Sequence, residues 1–97
     1  MSVFTLALID IHDAERYQLY ADKAAEIFTR EKVKVHAVDD NPYFMGDIKA
    51  GRVVLLEFKD KAHRKTFFQL PDYIEAGKHR DAASTIRTIA FDRFTGF

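Results

Sequence analysis

Six side chains of this 97-residue sequence have the types from which a chemical site is built. Glu57 closes the oily run Val53-Val54-Leu55-Leu56, and strand alternation puts it on the face shared by Val53 and Leu55. A carboxylate among apolar neighbours tends toward a raised pKa, which suits a general acid or base. Its structural alternative is an ion pair with Arg80, Arg87 or Arg52 across an interface. Arg80 falls at the end of the last helical segment, where a cation suits the helix dipole. As a binding group its guanidinium would clamp a carboxylate with two hydrogen bonds. His36 is the third catalytic candidate, a general base if its strand faces a cleft. Tyr17 and Tyr20 share one stripe of the first helix, where hydroxyls either meet a ligand between helix and sheet or tuck against the core edge. Phe44, within Tyr43-Phe44-Met45, would lid an apolar cavity or join a dimer contact.

Other chemistries lack their residues. Without cysteine there is no disulfide, thiolate nucleophile or sulfur-ligated metal. Asp10, His12 and Asp13 cluster locally, but no His-x-x-x-His or Glu-x-x-His spacing is present, so no metal site is expected. Gly-x-Gly-x-x-Gly, P-loop and Gly-x-Ser-x-Gly patterns are missing too, so no cofactor is expected. Fifteen basic residues balance fifteen acidic ones, which leaves no global field to gather nucleic acid. The apolar run Val3 to Ile9 has no basic segment before it and is broken by Asp10, unlike a secretory signal. No stretch approaches the roughly 18 apolar residues of a membrane span, so the expected location is the cytosol.

The elements that must position these residues follow from periodicity. Val3 to Ile11 predicts a strand apolar on both faces. Asp13 caps a helix running to about Arg30, with Tyr17, Tyr20, Ala21, Ala24, Ile27 and Phe28 on one stripe. Val33 to Val38 predicts an edge-like second strand, alternating Val33, Val35 and Ala37 against Lys34, His36 and Val38. A connection of about a dozen residues, Asp39 to Gly51, leads to a third strand, Arg52 to Lys59. Asp60 caps a helix over Lys61 to Gln69, Pro71 starts another reaching about Asp81, and Ser84 to Phe94 predicts the last strand. The length fits a single domain over residues 1–97.

The order is strand, helix, strand, strand, helix, strand: an α+β, ferredoxin-like βαββαβ fold with a four-stranded antiparallel sheet. Right-handed crossovers put the first and third strands at its centre and the helices on one face. Both central strands lack polar alternation, so the far face is greasy. Six uncovered large side chains at ~1.5–3 kcal/mol each forgo about 10 kcal/mol of burial. A homodimer packed sheet to sheet is the expected remedy.

The residues also resemble a known family, the domain-of-unknown-function-1330 proteins of the dimeric α/β-barrel superfamily. The likeness rests on Asp13-Ala14-Glu15-Arg16-Tyr17-Gln18-Leu19-Tyr20, on Gly46, and on Val53-Val54-Leu55-Leu56-Glu57-Phe58. Leu70-Pro71-Asp72-Tyr73, Arg80 and Gly96 extend it. The chain departs from the family at Arg30-Glu31-Lys32 and Asp39-Asp40, where glycines are usual, at Lys59 for a Pro, and at Leu70 for a capping Ser. The resemblance implies a protomer that pairs through its sheet. It also suggests a cofactor-free enzyme or binder acting on a small, apolar, oxygenated compound between helices and sheet. A non-catalytic association module is the alternative, with ligand-induced stabilisation as the discriminating observation.

Overall fold

The computed structural model describes residues 1–96. Chain order is β1 (Val3–Ile11), α1 (Ala14–Arg30), β2 (Lys34–Asp39), β3 (Arg52–Phe58), α2 (Lys61–Phe67), α3 (Pro71–Ala83) and β4 (Ser84–Asp92). The strands form one sheet in the order β2-β3-β1-β4, every neighbour antiparallel. The two strands without polar alternation are therefore the central pair, and the expected α+β ferredoxin-like topology is what the chain adopts.

Register gives each sheet face its composition. Across β3, β1 and β4 the rows Arg52–Ile9–Ile86, Val54–Ala7–Thr88 and Leu56–Thr5–Ala90 alternate with Val53–Leu8–Arg87, Leu55–Leu6–Ile89 and Glu57–Phe4–Phe91. The first set lies under the helices, and Ala7, Ile9, Leu56 and Phe58 there are buried. The second set has no element above it. Phe4, Leu6, Leu8, Val53 and Leu55 stay half-buried, while Ile89 and Phe91 are exposed.

Capping explains the helix limits. The Asp13 carboxylate accepts from the Arg16 backbone N–H at 3.1 Å, and that of Asp60 from His63 at 2.7 Å. Leu70, at the start of α3, offers no side-chain cap, and Pro71 in the first turn fixes the backbone instead. At the end of α1, Lys32 N–H reaches the Thr29 carbonyl and Val33 N–H the Phe28 carbonyl, a Schellman closure. That closure holds Lys32 at φ 60°, in the left-handed region favoured by glycine. The core below joins Tyr20, Ala24 and Ile27 of α1 to Phe58, Phe67, Tyr73 and Ala76. Phe67 is its hub, with ring centroids 4.5 Å from Tyr73 and 5.4 Å from Phe28.

Some expectations need correction. A β-bulge between Val35 and Ala37 breaks strict alternation in β2, so Val35 pairs with Leu56 and Val38 with Val54. Both valines thus lie on the helix side, and the strand ends at Asp39 rather than Val38. The two later helices are separated by a 68–70 turn and extend to Phe67 and Ala83, and β4 stops at Asp92. The His63 ring ties α2 to its neighbours, accepting from Lys59 N–H at 2.9 Å and lying 2.9 Å from the Glu31 carbonyl.

Candidate functional site

The candidate residues separate into two groups on opposite faces of the sheet. Tyr17, Tyr20 and Arg80 meet on the helix side; His36 and Glu57 meet on the open side; Phe44 joins neither.

On the helix side, α1 stands over β2 and β3 without closing on them, because small Ala21, Ala24 and Ala25 face the sheet. This leaves a groove of about 430 Å³. Its apolar walls include Phe28, Val33, Val35, Val38, Val54 and Leu56. Its polar lining is Tyr17, Tyr20, Thr29 and Arg52, with no carboxylate. Val35 and Val38 remain 46% and 54% exposed, so the groove opens along the sheet edge. Arg52 reaches it by parity with Val54 and Leu56. Its guanidinium lies 5.4 Å from the Tyr17 ring centroid and binds the Asp40 carboxylate through Nε and Nη2. That bond holds Asp40 below the usual carboxylate range.

Behind the groove the polar groups satisfy one another. The Tyr20 and Tyr73 hydroxyls are 2.8 Å apart, and Arg80 Nη1 donates to the Tyr73 hydroxyl at 2.9 Å. The Arg80 guanidinium lies 5.3 Å from the Tyr20 ring centroid and 5.8 Å from that of Tyr73. Gly77 makes room for it, since a Cβ there would stand 3.3 Å from the Arg80 terminal nitrogen. Burial pushes the phenols of Tyr17, Tyr20 and Tyr73 upward, so all three stay protonated near neutral pH. They are hydrogen-bond donors rather than bases.

On the open face, His36 Nε2 lies 2.6 Å from Glu57 Oε1, with the His36 ring 5.9 Å from Phe4. Arg93 Nη1 is 3.9 Å from the other Glu57 oxygen. Within one chain, then, the partners of Glu57 are His36 and Arg93 rather than Arg80, Arg87 or Arg52. Nor is its carboxyl raised: the Ser2 hydroxyl first, and the His36 ring second, hold it below its ordinary 4.5. Only 8% of its side chain is exposed, but the cover is a thin layer of side chains on an outer face and not deep interior. A carboxyl so held is ionised throughout the neutral range, which removes the general-acid half of the expected role and leaves the protonation state of a base.

A pH dependence follows. A depressed folded-state value means that the ionised carboxylate stabilises the fold above the ordinary carboxylate range, and the contribution is lost as pH falls through the folded value. Glu57→Gln is expected to lower the urea midpoint at pH 7 and to converge with the wild type as pH falls below the ordinary 4.5 and through the lowered folded value. A midpoint difference of undiminished size at the acid end would contradict this.

Phe44 sits in the 40–51 connection, outside the groove lining, while Tyr43 and Met45 point to solvent. The connection is tied instead to the sheet ends, through Gly51 N–H to Asp10 at 3.0 Å and Arg87 to the Lys49 carbonyl at 2.7 Å. The site residue missed from sequence is Arg52, although its even spacing from Val54 and Leu56 marks the helix face. Among the described residues no three acidic or histidine side chains group as a metal ion requires, and no helix is long and apolar enough to cross a membrane.

A four-stranded antiparallel sheet with helices on one face, an apolar opposite face and a groove under the first helix defines a ferredoxin-like fold. Residues 2–94 match the family described as "Domain of unknown function (DUF1330)", and the chain belongs to it. No curated protein matches the sequence. Among solved structures, RPA0582 from Rhodopseudomonas palustris, a protein of unknown function, is 24% identical with a TM-score of 0.83, over 98% of this chain and 84% of its own. SnoaB, a cofactor-independent oxygenase from Streptomyces nogalater, is 17% identical with a TM-score of 0.70, over 98% and 95%. A dimeric ferredoxin-like protein of unknown function from Jannaschia sp. is 14% identical with a TM-score of 0.68, over 96% and 100%. At these identities the likeness is one of fold.

Proposed function

We propose that the protein works as a homodimer, each protomer binding a small, mainly apolar, oxygen-bearing compound in the groove under α1. The observation that carries this reading is the groove's composition: about 430 Å³ of apolar wall with Tyr17 and Arg52 as polar anchors. That volume lies within the ~300–1,000 Å³ of small-molecule sites. An apolar body would lie against Val35, Val38, Val54 and Phe28, and its oxygen would accept from the Tyr17 hydroxyl and the Arg52 guanidinium.

The chemistry such a site favours is stabilisation of negative charge on that oxygen. Two fixed donors against an apolar wall, aimed at one oxygen, would favour the form of the ligand that carries negative charge there. An oxygenase without a cofactor must draw electrons from its substrate, and an enolate or phenolate is the form that supplies them. The fold shared with SnoaB supports placing cofactor-free chemistry of this kind among the protein's activities. The closed Tyr20–Tyr73–Arg80 network favours the competing reading, association without catalysis, for those three residues only. Tyr17 and Arg52 Nη1, the nitrogen outside the Asp40 bond, are left to act on a ligand.

Arg52 provides the test. In a thermal-shift screen with phenols, enolisable ketones and keto acids, at least one compound is expected to raise the wild-type melting temperature. Arg52→Ala should weaken its binding about tenfold or more, the value of a charge-assisted hydrogen bond. Arg52→Lys should recover part of it. A library that leaves the wild type unmoved, or a ligand indifferent to Arg52→Ala, would favour the association module.

The open face supports the homodimer. Phe4, Leu6, Leu8, Val53, Leu55, Ile89 and Phe91 form one apolar surface over the two central strands and β4. Already half-shielded, each gains roughly 1 kcal/mol on full burial, so two facing copies gain on the order of 10 kcal/mol. A second copy of the same face is self-complementary by symmetry.

A further inference from the structure

The short helix α2 carries two stripes. Phe67 turns into the core, whereas Lys61, Arg64 and Lys65, spaced at three and four residues, share the other side, and Phe68, just past the helix end, packs on the rim of the core beside Arg64. That side looks along the helix face of the sheet toward β4, where Thr88 and Ala90 are exposed. Between them lies a second groove of about 520 Å³, bounded by the α2 stripe on one wall and by Val3, Ala90 and Asp92 on the other. It is separate from the groove under α1 and shares no lining residue with it.

Arg64 is the fixed element. Its Nε donates to the Thr5 hydroxyl at 2.9 Å, and Thr5 is 2% exposed. Its guanidinium is held 4.9 Å from the Phe68 ring centroid. Among the described residues no carboxylate pairs with Arg64 or Lys65, so the terminal nitrogens of a positioned fork stand beside a second uncompensated cation. Lys61 is partly offset by Asp92 at 3.9 Å. A fork anchored at Nε presents its remaining donors to one oxyanion, and its stacking partner supplies an aromatic floor.

We propose that this groove is a second ligand site, for a small oxyanion carried on a flat apolar ring: an aryl carboxylate or aryl phosphate. The oxyanion meets Arg64 and Lys65. The ring lies against Phe68, Val3 and Ala90. Asp92 is the one opposing charge, and it sets a ceiling on affinity that its removal would lift.

The test is a titration of the full chain, followed by backbone amide NMR shifts, with phenyl phosphate, benzoate and, as the uncharged control, benzyl alcohol. The two anions are expected to shift amides of residues 61–69 and 90–92, and benzyl alcohol is not. Stronger binding of one anion assigns the oxyanion as phosphate or carboxylate. Lys65→Gln, which disturbs no internal bond, should weaken binding about threefold. Arg64→Gln should weaken it about tenfold or more. Asp92→Asn should tighten binding, an effect that a purely structural Arg64 would not produce. Equal response to benzyl alcohol, shifts confined to Tyr17, Val35 and Val54, or an affinity unmoved by Asp92→Asn would overturn the proposal. Shifts confined to the first groove would at the same time leave the reading under Proposed function standing.

Discussion

Leu55→Asp is expected to turn the protein from a dimer into a folded monomer. Leu55 sits mid-sheet on the open face, in line with Leu6 and Ile89. In the pair its aspartate would be stripped of water twice, once from each copy. An unpaired buried charge costs several kcal/mol, so about 4 kcal/mol or more is expected, a weakening of roughly a thousandfold. In the single chain the same aspartate faces water and costs little, so helical circular dichroism should survive. Sedimentation velocity at micromolar concentration should show the 11.2 kDa chain for the variant and twice that mass for the wild type. A wild type sedimenting as one chain would remove the dimer from the account, as would a variant of undiminished mass.

Arg80→Met is expected to be the most damaging polar-to-apolar change on the helix side. The Arg80 side chain is 18% exposed, donates to the Tyr73 hydroxyl and lies over the Tyr20 ring. Its removal costs one charge-assisted hydrogen bond and one cation–π contact, about 2–3 kcal/mol together. For a domain of this size that corresponds to roughly 10 °C or more in melting temperature. Because Arg80 is outside the lining of the groove under α1, ligand affinity at matched folded fraction should hold. A variant that keeps its stability and loses ligand binding would restore Arg80 to the clamp that the sequence suggested.

The architecture was legible because two independent signals agree on it. Element order places β1 and β3 in the centre, and these are the strands whose residues are apolar on both faces. Parity within Arg52 to Phe58 also sorts that strand correctly, sending Glu57 to the open face. What parity does not give is a partner from another element. Arg80 reaches Tyr20 only because α3 packs on α1, and no residue spacing states that packing. A bulge that no glycine or proline announces turns Val38 to the helix side; alternation alone would have left it on the open face with His36. Arg52 was legible but was read only as one of three partners for Glu57 across an interface, although it stands two and four residues from groove-lining Val54 and Leu56. Phe44 was chosen as a large apolar residue in a long loop, but the bonds of Gly51 and Lys49 draw that loop to the sheet ends.

The two faces of the sheet thus have separate tasks in this account, association on the open side and ligand binding beneath α1. The most direct test takes the strongest compound from the thermal screen and records intermolecular NOEs to the labelled full-length protein. Contacts from its apolar protons to the methyls of Val35, Val38 and Val54 and to the Tyr17 ring are the expected result. Contacts instead to Leu6, Leu55 and Ile89, with none under α1, would contradict it.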